Sequence, residues 1–361
     1  MTDPPPEVSR PMSPTIRDVA LKAGVSVASV SRLLNGTGRV GAETAARIRQ
    51  AVEDLGFRPN GLGRSLKSQR SRLIGVMIPS LANPVFADAV AGIETAARAA
   101  GFTLLFGVSG YHAEEEVRAV EALLAYRVDG MILTVTDPVG SQALDALEAA
   151  RVPHVLVYNQ PTPGRAPTVT VDNEGAGRAV ARHFCGLGHR RLGMITGALG
   201  GSDRAAARLR GFLAGAAEAG LPVPAVREVE FETPDPDAAL DAMADEPGGL
   251  PTALFCSNDW LAIATIGALA RRGLAVPGDV AVTGFDGIAV GAHLTPPLAT
   301  IVQPSAEMGR QAALRLIAML GEAEGQAGDL ILPFTFRPSG PQAGPASPHS
   351  GRPREERADT M

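Results

Sequence analysis

The sequence predicts an α/β protein in which a small helical domain precedes two doubly wound parallel-sheet subdomains. Two patterns predict this fold class. Apolar residues recur at helical spacing within residues 15–58, and from Leu73 onward short apolar runs alternate with amphipathic helical stretches. Such alternation is typical of parallel sheets that are covered on both faces. At 361 residues, the chain is long enough for two or three domains.

The first predicted helix starts after Thr15 and ends at Gly24. Thr15 is a good N-cap residue, and Asp18 stands where its capping-box partner belongs. Glycine ends helices readily because it enters the left-handed region at little cost. One face of this helix is apolar and carries Ile16, Val19, Ala20 and Ala23.

A second predicted helix covers 27–34, with Ser26 as its cap. Its buried side carries Val30, Leu33 and Leu34, which leaves Val27, Ala28, Ser31 and Arg32 on other faces. Helix, glycine turn and capped helix form the helix-turn-helix pattern, whose second helix enters the DNA major groove. The alternative is an ordinary helical hairpin. A third amphipathic helix at 43–55 favours the first interpretation, with Ala46, Ile48, Val52 and Leu55 on its apolar face.

Charge is divided unevenly along the chain. The first 72 residues hold 12 Arg or Lys and 6 Asp or Glu, for a net charge of +6, whereas the remainder holds 21 and 32, for −11. A basic head on an acidic body is typical of a DNA-binding module joined to another domain.

The composition excludes several classes of protein. No run of eighteen apolar residues is present, so we expect no membrane span. The proline-rich start lacks the apolar segment of a secretory signal. Two cysteines, Cys185 and Cys256, argue against a disulfide scaffold and favour a reducing cytoplasm. We therefore expect a cytoplasmic protein that associates with the nucleoid when bound to DNA.

Eight apolar runs are predicted to be strands of the two sheets. They cover 73–78, 103–108, 130–135, 154–159, 191–196, 226–231, 253–258 and 280–285. Helical stretches such as 84–100 and 114–126 separate them. Ligands bind outside the carboxyl ends of strands in open α/β sheets, so the loops after these runs are the expected binding site.

Several segments resemble the LacI/GalR family of bacterial repressors over about the first quarter of the chain. They are TIRDVA, AGVSVASVSRLLNG, ARI, LGFRPN, GRSL and LIGVMIPSLANPVF. The resemblance implies a type I periplasmic-binding-protein-like core, in which the chain crosses between subdomains three times. We place these crossings near 171–173, near 301–303 and just before Ile331.

The predicted domain boundaries follow from the resemblance and the composition. They are a disordered tail at 1–14, the helix-turn-helix DNA-binding domain at 15–58, a hinge at 59–72, an effector-binding and dimerisation core at 73–338, and a second disordered tail at 339–361. The second tail has no leucine heptad, so the tetramerising helix of some family members is not expected.

The resemblance implies a hinge helix that forms only in the DNA minor groove, where its leucine wedges between base pairs. Leu66 matches that leucine; the alternative is a linker leucine packed on the core. Gly61 and Gly63 stand where relatives often carry alanine. Each glycine costs a helix about 1 kcal/mol relative to alanine, so we expect a hinge that is disordered off DNA.

The predicted DNA contacts divide by chemistry. Arg32 can reach guanine O6 and N7, and Val27 and Ala28 suit thymine methyl groups. Thr15 and Ser26 are expected on phosphates. The full set is Thr15, Ser26, Val27, Ala28, Ser31, Arg32, Asn35, Asn60 and Leu66.

The loops after the predicted strands are rich in amides, carboxylates and aromatic rings, which suit a small polyol ring. Matching the family motifs, the expected effector contacts are Asn83, Phe86, Asn159, Arg208, Asn258, Asp259 and Asp286. Arg208 can fork to two ligand oxygens. The alternative for each residue is a helix cap or a turn. Asn159 stands where purine-binding relatives carry an aromatic side chain, which favours a sugar or sugar derivative.

Enzymatic signatures are missing from the sequence. Both lysines lack the preceding glycine of a Walker A loop, and neither HExxH nor GxSxG occurs. His183, Cys185 and His189 have metal-like spacing, but a fourth ligand is not apparent, so a helix end is the preferred interpretation. Cys256 is interpreted as a small residue at a strand end rather than a reactive thiol. We expect no catalytic residue, metal or cofactor.

The sequence thus predicts a transcriptional repressor that binds a pseudo-palindromic operator in double-stranded DNA as a homodimer, under the control of a small-molecule effector, with no membrane partner. Effector binding would change the angle between the core subdomains and so the affinity for DNA. A sugar receptor and an enzyme built on the same core are the alternatives. The sequence leaves open whether the effector is an inducer or a corepressor, whether the protein activates instead, and which genes it controls.

Overall fold

The computed structural model describes residues 14–35, 38–57, 70–231, 233–321 and 328–340. Its internal contacts divide the chain into two compact units, Met1–Ser71 and Arg72–Met361. The predicted hinge helix and most of both predicted tails lie outside the described residues.

The N-terminal unit contains three helices: α1 (Ile16–Ala23), α2 (Val27–Asn35) and α3 (Ala42–Leu55). Thr15 and Asp18 form the predicted capping box, in which the Thr15 backbone N–H donates to the Asp18 carboxylate at 2.7 Å. Gly24 ends α1 with φ 64°. Ser26 begins α2, since its Oγ accepts from the Ser29 backbone N–H at 3.2 Å.

The core of this unit is small and made mainly of alanine and β-branched side chains. Its buried members are Val19, Ala20, Ala23, Val30, Ala45, Ile48, Ala51 and Phe57. The prediction for α3 was wrong at one position: Ala46 is exposed, and Ala45 takes its place. The buried stripe of α3 follows the three-residue spacing of Ala45, Ile48 and Ala51, which turns Ala46 toward solvent.

The second unit holds two six-stranded sheets. The first has the order β11-β5-β4-β3-β1-β2, and all its strands are parallel. The second has the order β12-β10-β9-β8-β6-β7 and is parallel except for β12, which runs antiparallel to β10. The strands are β1 (Leu73–Ile78), β2 (Thr103–Val108), β3 (Gly130–Leu133), β4 (His154–Val157), β5 (Thr168–Val171), β6 (Leu192–Gly197), β7 (Ala225–Val229), β8 (Ala253–Cys256), β9 (Ala281–Asp286), β10 (Ala299–Val302), β11 (Leu330–Leu332) and β12 (Thr335–Arg337).

Helices cover both faces of each sheet, as the continuous apolar strands require. They are α4 (Pro84–Ala99), α5 (Ala113–Ala125), α6 (Gln142–Ala149), α7 (Asn173–Gly186), α8 (Asp203–Glu218), α9 (Pro236–Ala244), α10 (Asp259–Arg271) and α11 (Ser305–Leu320). No helix in the described ranges combines the length and the apolar character that crossing a membrane needs.

The chain passes three times between the two sheets. The first passage, at Asp172, and the second, after β10, lie where the sequence predicted them. The third was predicted just before Ile331, which was wrong. Strand β11 still pairs with β5 of the first sheet, and the chain crosses only at 333–334 to form β12 of the second sheet.

Two helix pairs pack at unusually short range through glycine. In the pair α7–α8, a Cβ at Gly177 would lie 2.1 Å from the backbone oxygen of Arg208, and one at Gly211 would lie 1.8 Å from that of Glu174. The pair α4–α11 makes the same contact through Gly92 and Gly309. These pairs fix the helices on which several cleft residues lie.

Candidate effector cleft and DNA-binding helix

A narrow cavity lies at the carboxyl ends of the strands and is lined by both subdomains. Of the predicted effector contacts, it brings together Asn83, Phe86, Arg208, Asn258 and Asp286. It leaves out Asn159 and Asp259. The sequence analysis did not single out the remaining lining residues, which are Val85, Tyr111, Tyr158, Ser202, Arg204, Ala205, Phe231 and Gln303.

Arg208 is buried at the base of this inner cavity. Its Nε donates to Asn173 Oδ1 at 2.8 Å and its Nη1 donates to the Ser257 backbone oxygen at 2.5 Å. The guanidinium lies 3.4 Å from the centroid of the Phe285 ring. Burial lowers the Arg208 pKa to about 10, so the group remains a cation at neutral pH. Its Nη2 lies 3.9 Å from Asp286 Oδ1, too far for a hydrogen bond.

Asp286 ends β9 with φ 116°, a backbone conformation that non-glycine residues rarely adopt. Its Oδ1 accepts from Gln303 Nε2 at 2.8 Å, and the Asn83 side chain is a second polar neighbour of the carboxyl group. Burial raises the Asp286 pKa to about 6, while the Arg208 charge opposes that rise. Within the described part of the chain, the buried Oε1 of Gln303 has no hydrogen-bond partner, so it can accept from a ligand hydroxyl.

Aromatic rings form one wall of the inner cavity. The rings of Tyr111 and Phe231 are stacked, with centroids 4.1 Å apart and an interplanar angle of 11°. Phe86 meets Tyr158 edge to face at 5.5 Å, and the Tyr158 hydroxyl donates to the Val85 backbone oxygen at 2.8 Å. Tyr111, Tyr158 and Phe231 all end or follow predicted strands. Their position at the carboxyl ends of these strands could therefore have identified them as site residues.

Asn159 is fully buried and uses its side chain to join the two subdomains. Its Oδ1 accepts from the Val135 N–H at 2.9 Å, and its Nδ2 donates to Asp203 Oδ1 at 3.0 Å. Asp203 Oδ2 also accepts from the Gln160 N–H at 2.6 Å, and Arg204 Nη1 donates to the Val135 backbone oxygen at 3.1 Å. Because Asp203 and Arg204 begin α8 of the second subdomain, we call this set the Asn159–Asp203 bridge.

Asp259 is fully buried and turned away from the cavity. Its Oδ2 accepts from the Ile288 N–H at 2.8 Å, and its Oδ1 lies 2.5 Å from Thr300 Oγ1. Burial, reinforced by the charge of Asp286, raises the Asp259 pKa to about 8. Asn258, the residue before Asp259, does line the cavity. Its Oδ1 accepts a hydrogen bond of 2.7 Å from the Leu261 N–H, so the same side chain also caps α10.

The residues with metal-like spacing make other contacts. The His183 ring packs on Phe336 with centroids 4.3 Å apart, and His189 Nδ1 lies 3.0 Å from Thr252 Oγ1. In the ranges that the structure describes, no three His, Cys, Asp or Glu side chains are grouped to hold a metal ion. Burial raises the Cys256 pKa to about 12, which keeps that thiol protonated and unreactive at neutral pH.

In the N-terminal unit, α2 turns Val27, Ala28 and Arg32 outward, and the Val27 side chain is 42% exposed. Ser31 is half-buried. Thr15 is exposed, but its hydroxyl donates to the Asp18 carboxylate at 2.8 Å, which places a negative charge beside the predicted phosphate contact. The Asn35 side chain, Asn60 and Leu66 lie outside the described residues.

Comparisons with known proteins agree with this architecture. Residues 15–60 match the family described as bacterial regulatory proteins, lacI family, and residues 181–339 match the periplasmic binding protein-like domain. The chain is 33% identical over 316 residues to the HTH-type transcriptional repressor PurR of Aliivibrio fischeri (strain MJ11), a match that covers 86% of this chain and 93% of that repressor. The chain belongs to the LacI family.

Two solved structures of LacI-type regulators match nearly the whole chain. The lac repressor dimer bound to operator and the anti-inducer ONPF has a TM-score of 0.78 and 29% identity, and the match covers 93% of this chain and 100% of that one. The transcriptional regulator CelR–cellobiose complex has a TM-score of 0.66 and 28% identity, with 91% and 100% covered. This LacI-family protein is a DNA-binding transcriptional repressor with an effector-binding core, and its relatives are regulators, not enzymes.

Proposed function

We propose that a sugar or sugar derivative binds in the inner cavity and controls operator binding by a homodimer of this repressor. The observation that carries the proposal is the pairing of Arg208 with Asp286 at 3.9 Å beneath an aromatic wall. At this separation the two charges are close but not hydrogen-bonded, so a ligand hydroxyl lying to one side of both could accept from the guanidinium and donate to the carboxylate.

The other polar groups of the cavity suit the same chemistry. Asn83 and Asn258 present amides, and Gln303 presents an unpartnered carbonyl oxygen within the described residues. Each hydroxyl of a sugar both donates and accepts, so a mixed set of amides and charged groups can satisfy several at once. The rings of Phe86 and Tyr111 supply apolar contact for the C–H face of the sugar. CelR, a structural relative, was solved with cellobiose.

The exposed face of α2 supports the DNA half of the proposal. Val27 and Ala28 are short and apolar, and Arg32 is long and cationic, which suits contact with thymine methyl groups and a guanine edge. In the first sheet, β2 is an edge strand that exposes Phe106 and Val108 at 51% and 42%. An exposed apolar edge favours association with a second copy, and a homodimer would match the two halves of a pseudo-palindromic operator.

Calorimetric titration of the full chain tests the effector half directly. The panel contains monosaccharides, disaccharides, sugar phosphates and polyols. We expect saturable binding of at least one sugar, and a loss of about tenfold to a hundredfold in affinity in Asp286→Asn, since hydrogen bonds to a charged group contribute about 1.5–3 kcal/mol. Asp245→Asn is the matched control, because Asp245 is exposed at the end of α9. Unchanged affinity in Asp286→Asn, or no binding across the panel by folded protein, would contradict the proposal.

A further inference from the structure

A buried acid, Glu116, lies in the first turn of α5, beside the seam where the loop after β3 meets the start of α8. Its side chain is only 2% exposed. Its Oε1 accepts from the Thr136 backbone N–H at 2.6 Å, and the Thr136 hydroxyl is a second polar neighbour of the carboxyl group. Glu116 is not among the residues that line the inner cavity, so effector binding leaves this acid without an assigned role.

One peptide group connects Glu116 to the second subdomain. It joins Val135 to Thr136, directly after β3. Its N–H donates to Glu116, while its oxygen accepts from Arg204 Nη1 at 3.1 Å and from Asn159 Nδ2 at 2.8 Å. Hydrogen bonds in such a chain polarise one another. The carboxyl group of the first subdomain is therefore coupled through this peptide to a guanidinium of the second.

Two backbone N–H groups donate across the same seam. The Asp203 N–H donates to the Thr136 oxygen at 2.9 Å, and the Gln160 N–H donates to Asp203 Oδ2 at 2.6 Å. Thr136 is thus bonded to Glu116 on one side and to the start of α8 on the other. These bonds hold α8 against the loop beside Glu116, and they break if the subdomains separate.

The charges that reach Glu116 from the second subdomain are those of Arg204 and Asp203. Arg204 Nη1 lies 3.4 Å from Asp203 Oδ1, so one guanidinium faces two buried carboxyl groups. Burial raises the pKa of Glu116 to about 7; the Arg204 charge opposes that rise, and the Asp203 charge adds to it. A proton on one of the two acids relieves the excess of negative charge.

The other titratable groups around Glu116 lie on its own helix and on the neighbouring elements of the first subdomain. Tyr111, between β2 and α5, stays neutral because burial raises its pKa to about 12. The rest are exposed or paired: His112, Glu114 and Asp137 are exposed, Glu115 pairs with Arg118, and Asp145 and Glu148 of α6 pair with Arg165.

Separation of the subdomains reverses the burial of Glu116. If α8 moves away from the loop after β3, water reaches this edge and the Glu116 pKa falls toward its ordinary value of 4.5. The pKa is thus higher in the closed core than in the open one. The contribution of Glu116 to closure is fully present below pH 4.5 and is lost as the pH rises through 7.

We infer that closure of the two core subdomains takes up one proton at the Glu116 carboxyl group, so that acidic pH favours the closed core. The proton comes from the solvent and returns to it when the subdomains separate. The inference does not depend on which effector binds in the inner cavity. A ligand that changes the seam contacts shifts the same equilibrium, so pH and effector act on one conformational change.

Hydrogen exchange of the full chain, followed by mass spectrometry, tests this inference without any ligand. The amides of Gln160 and Asp203 report on the seam, and their protection factors are corrected for the intrinsic effect of pH on exchange. We expect wild-type protection to fall about tenfold from pH 6 to pH 8, because a pKa of about 7 closed and 4.5 open shifts the opening equilibrium by that factor. Most of the fall should occur below pH 7.

Glu116→Gln separates titration from structure. Glutamine keeps a carbonyl oxygen for the Thr136 N–H and has no proton to lose in this pH range. We expect its seam amides to keep at pH 8 nearly the protection that the wild type has at pH 6. Glu114→Gln is the matched control, because Glu114 is exposed in the same turn and the change removes the same charge, so this variant should behave like the wild type.

Circular dichroism verifies that each variant is folded, and the wild-type pH series decides even if Glu116→Gln is not. Seam protection that stays constant in the wild type between pH 6 and pH 8 would overturn the inference. The same tenfold fall in folded Glu116→Gln would assign the proton to another acid and overturn it as well. Lower protection of Glu116→Gln at both pH values would show a purely structural role.

Discussion

At the scale of single residues, Asp259 is a buried acid that keeps its proton. Burial and the charge of Asp286 raise its pKa from an ordinary value of 3.8 to about 8. The folded protein therefore holds a proton that the unfolded chain releases near pH 4. The contribution of Asp259 to stability is fully present below that pH and is lost as the pH rises through 8.

Replacing Asp259 with asparagine should remove this pH dependence. An amide can donate to Thr300 Oγ1 and accept from the Ile288 N–H, so both present contacts survive. At pH 8 we expect Asp259→Asn to melt at a higher temperature than the wild type, by about 2–4 °C for each kcal/mol gained in the free energy of unfolding. This difference in melting temperature should shrink toward pH 5. Differential scanning calorimetry between pH 5 and 8 measures this.

Comparison with the wild type is necessary because other buried acids titrate in the same range. Burial raises the pKa of Glu116 to about 7 and that of Asp286 to about 6, so the wild-type slope has several sources. Asp245→Asn, on the surface, controls for the change of charge. A variant that is less stable than the wild type by the same amount at every pH would mean that Asp259 is ionised in the folded protein.

Arg32 is the residue of α2 on which base discrimination should depend most. A side chain that forks to a guanine edge contributes about 1–3 kcal/mol of discrimination, whereas a phosphate contact stabilises all sequences alike. We expect Arg32→Ala to lower the ratio of specific to random DNA affinity by about tenfold or more. Arg49→Ala, on the exposed side of α3, should leave that ratio unchanged. Equal weakening of specific and random binding by Arg32→Ala would assign Arg32 to a phosphate.

At the scale of secondary-structure elements, the glycine-mediated helix pairs set the shape of each subdomain. In α7, Gly177 and Gly186 occupy the same helix in opposite surroundings. A Cβ at Gly177 would lie 2.1 Å from a backbone oxygen of α8, whereas one at Gly186 would meet nothing within 4 Å. Alanine at Gly186 therefore changes only the helix propensity of α7, whereas alanine at Gly177 also disturbs its packing against α8.

Alanine at these two positions should have opposite effects on stability. Gly177→Ala forces α7 away from α8 and should lower the free energy of unfolding by about 1–3 kcal/mol or more. Gly186→Ala should be neutral or stabilising by up to about 1 kcal/mol, because alanine favours helix. Chemical denaturation of both variants measures the difference. Similar destabilisation by the two changes would mean that the close helix contact is not what constrains Gly177.

The elements also show how far the sequence could predict the fold. The eight runs predicted strands β1 to β4 and β6 to β9, because most of them are the continuous apolar segments that a covered parallel sheet requires. Strands β5 and β10 carry threonine among their apolar residues, and β11 and β12 have three residues each, so none of the four forms a long apolar run. This is why the third crossing was misplaced.

The sequence predicted the loops of the candidate site and most, but not all, of the side chains that line it. Asn83, Phe86, Arg208, Asn258 and Asp286 line the cavity as the family motifs implied. Asn159 instead forms the Asn159–Asp203 bridge, whose partner lies 44 residues away, and Asp259 turns inward by one helical position. The contacts of both side chains depend on tertiary packing, which cannot be predicted from a local sequence pattern.

At the scale of the whole molecule, the central question is whether a ligand in the core controls binding to DNA. The Asn159–Asp203 bridge and the Tyr111–Phe231 pair both join the two core subdomains around the inner cavity. A ligand that changes these contacts alters the relative stability of core conformations. If those conformations differ in affinity for DNA, sugar and operator are coupled by about 1–3 kcal/mol, as is usual for allosteric proteins.

The most direct measurement is operator affinity with and without the bound sugar. The operator is first selected from random DNA with the full chain, and its dissociation constant is then measured by fluorescence anisotropy at fixed salt concentration. We predict that saturating sugar changes this constant by about 5–150-fold in the wild type, and that the same sugar concentration has little effect in Asp286→Asn. An operator affinity that stays constant while calorimetry shows the sugar fully bound would contradict control of DNA binding through the cleft.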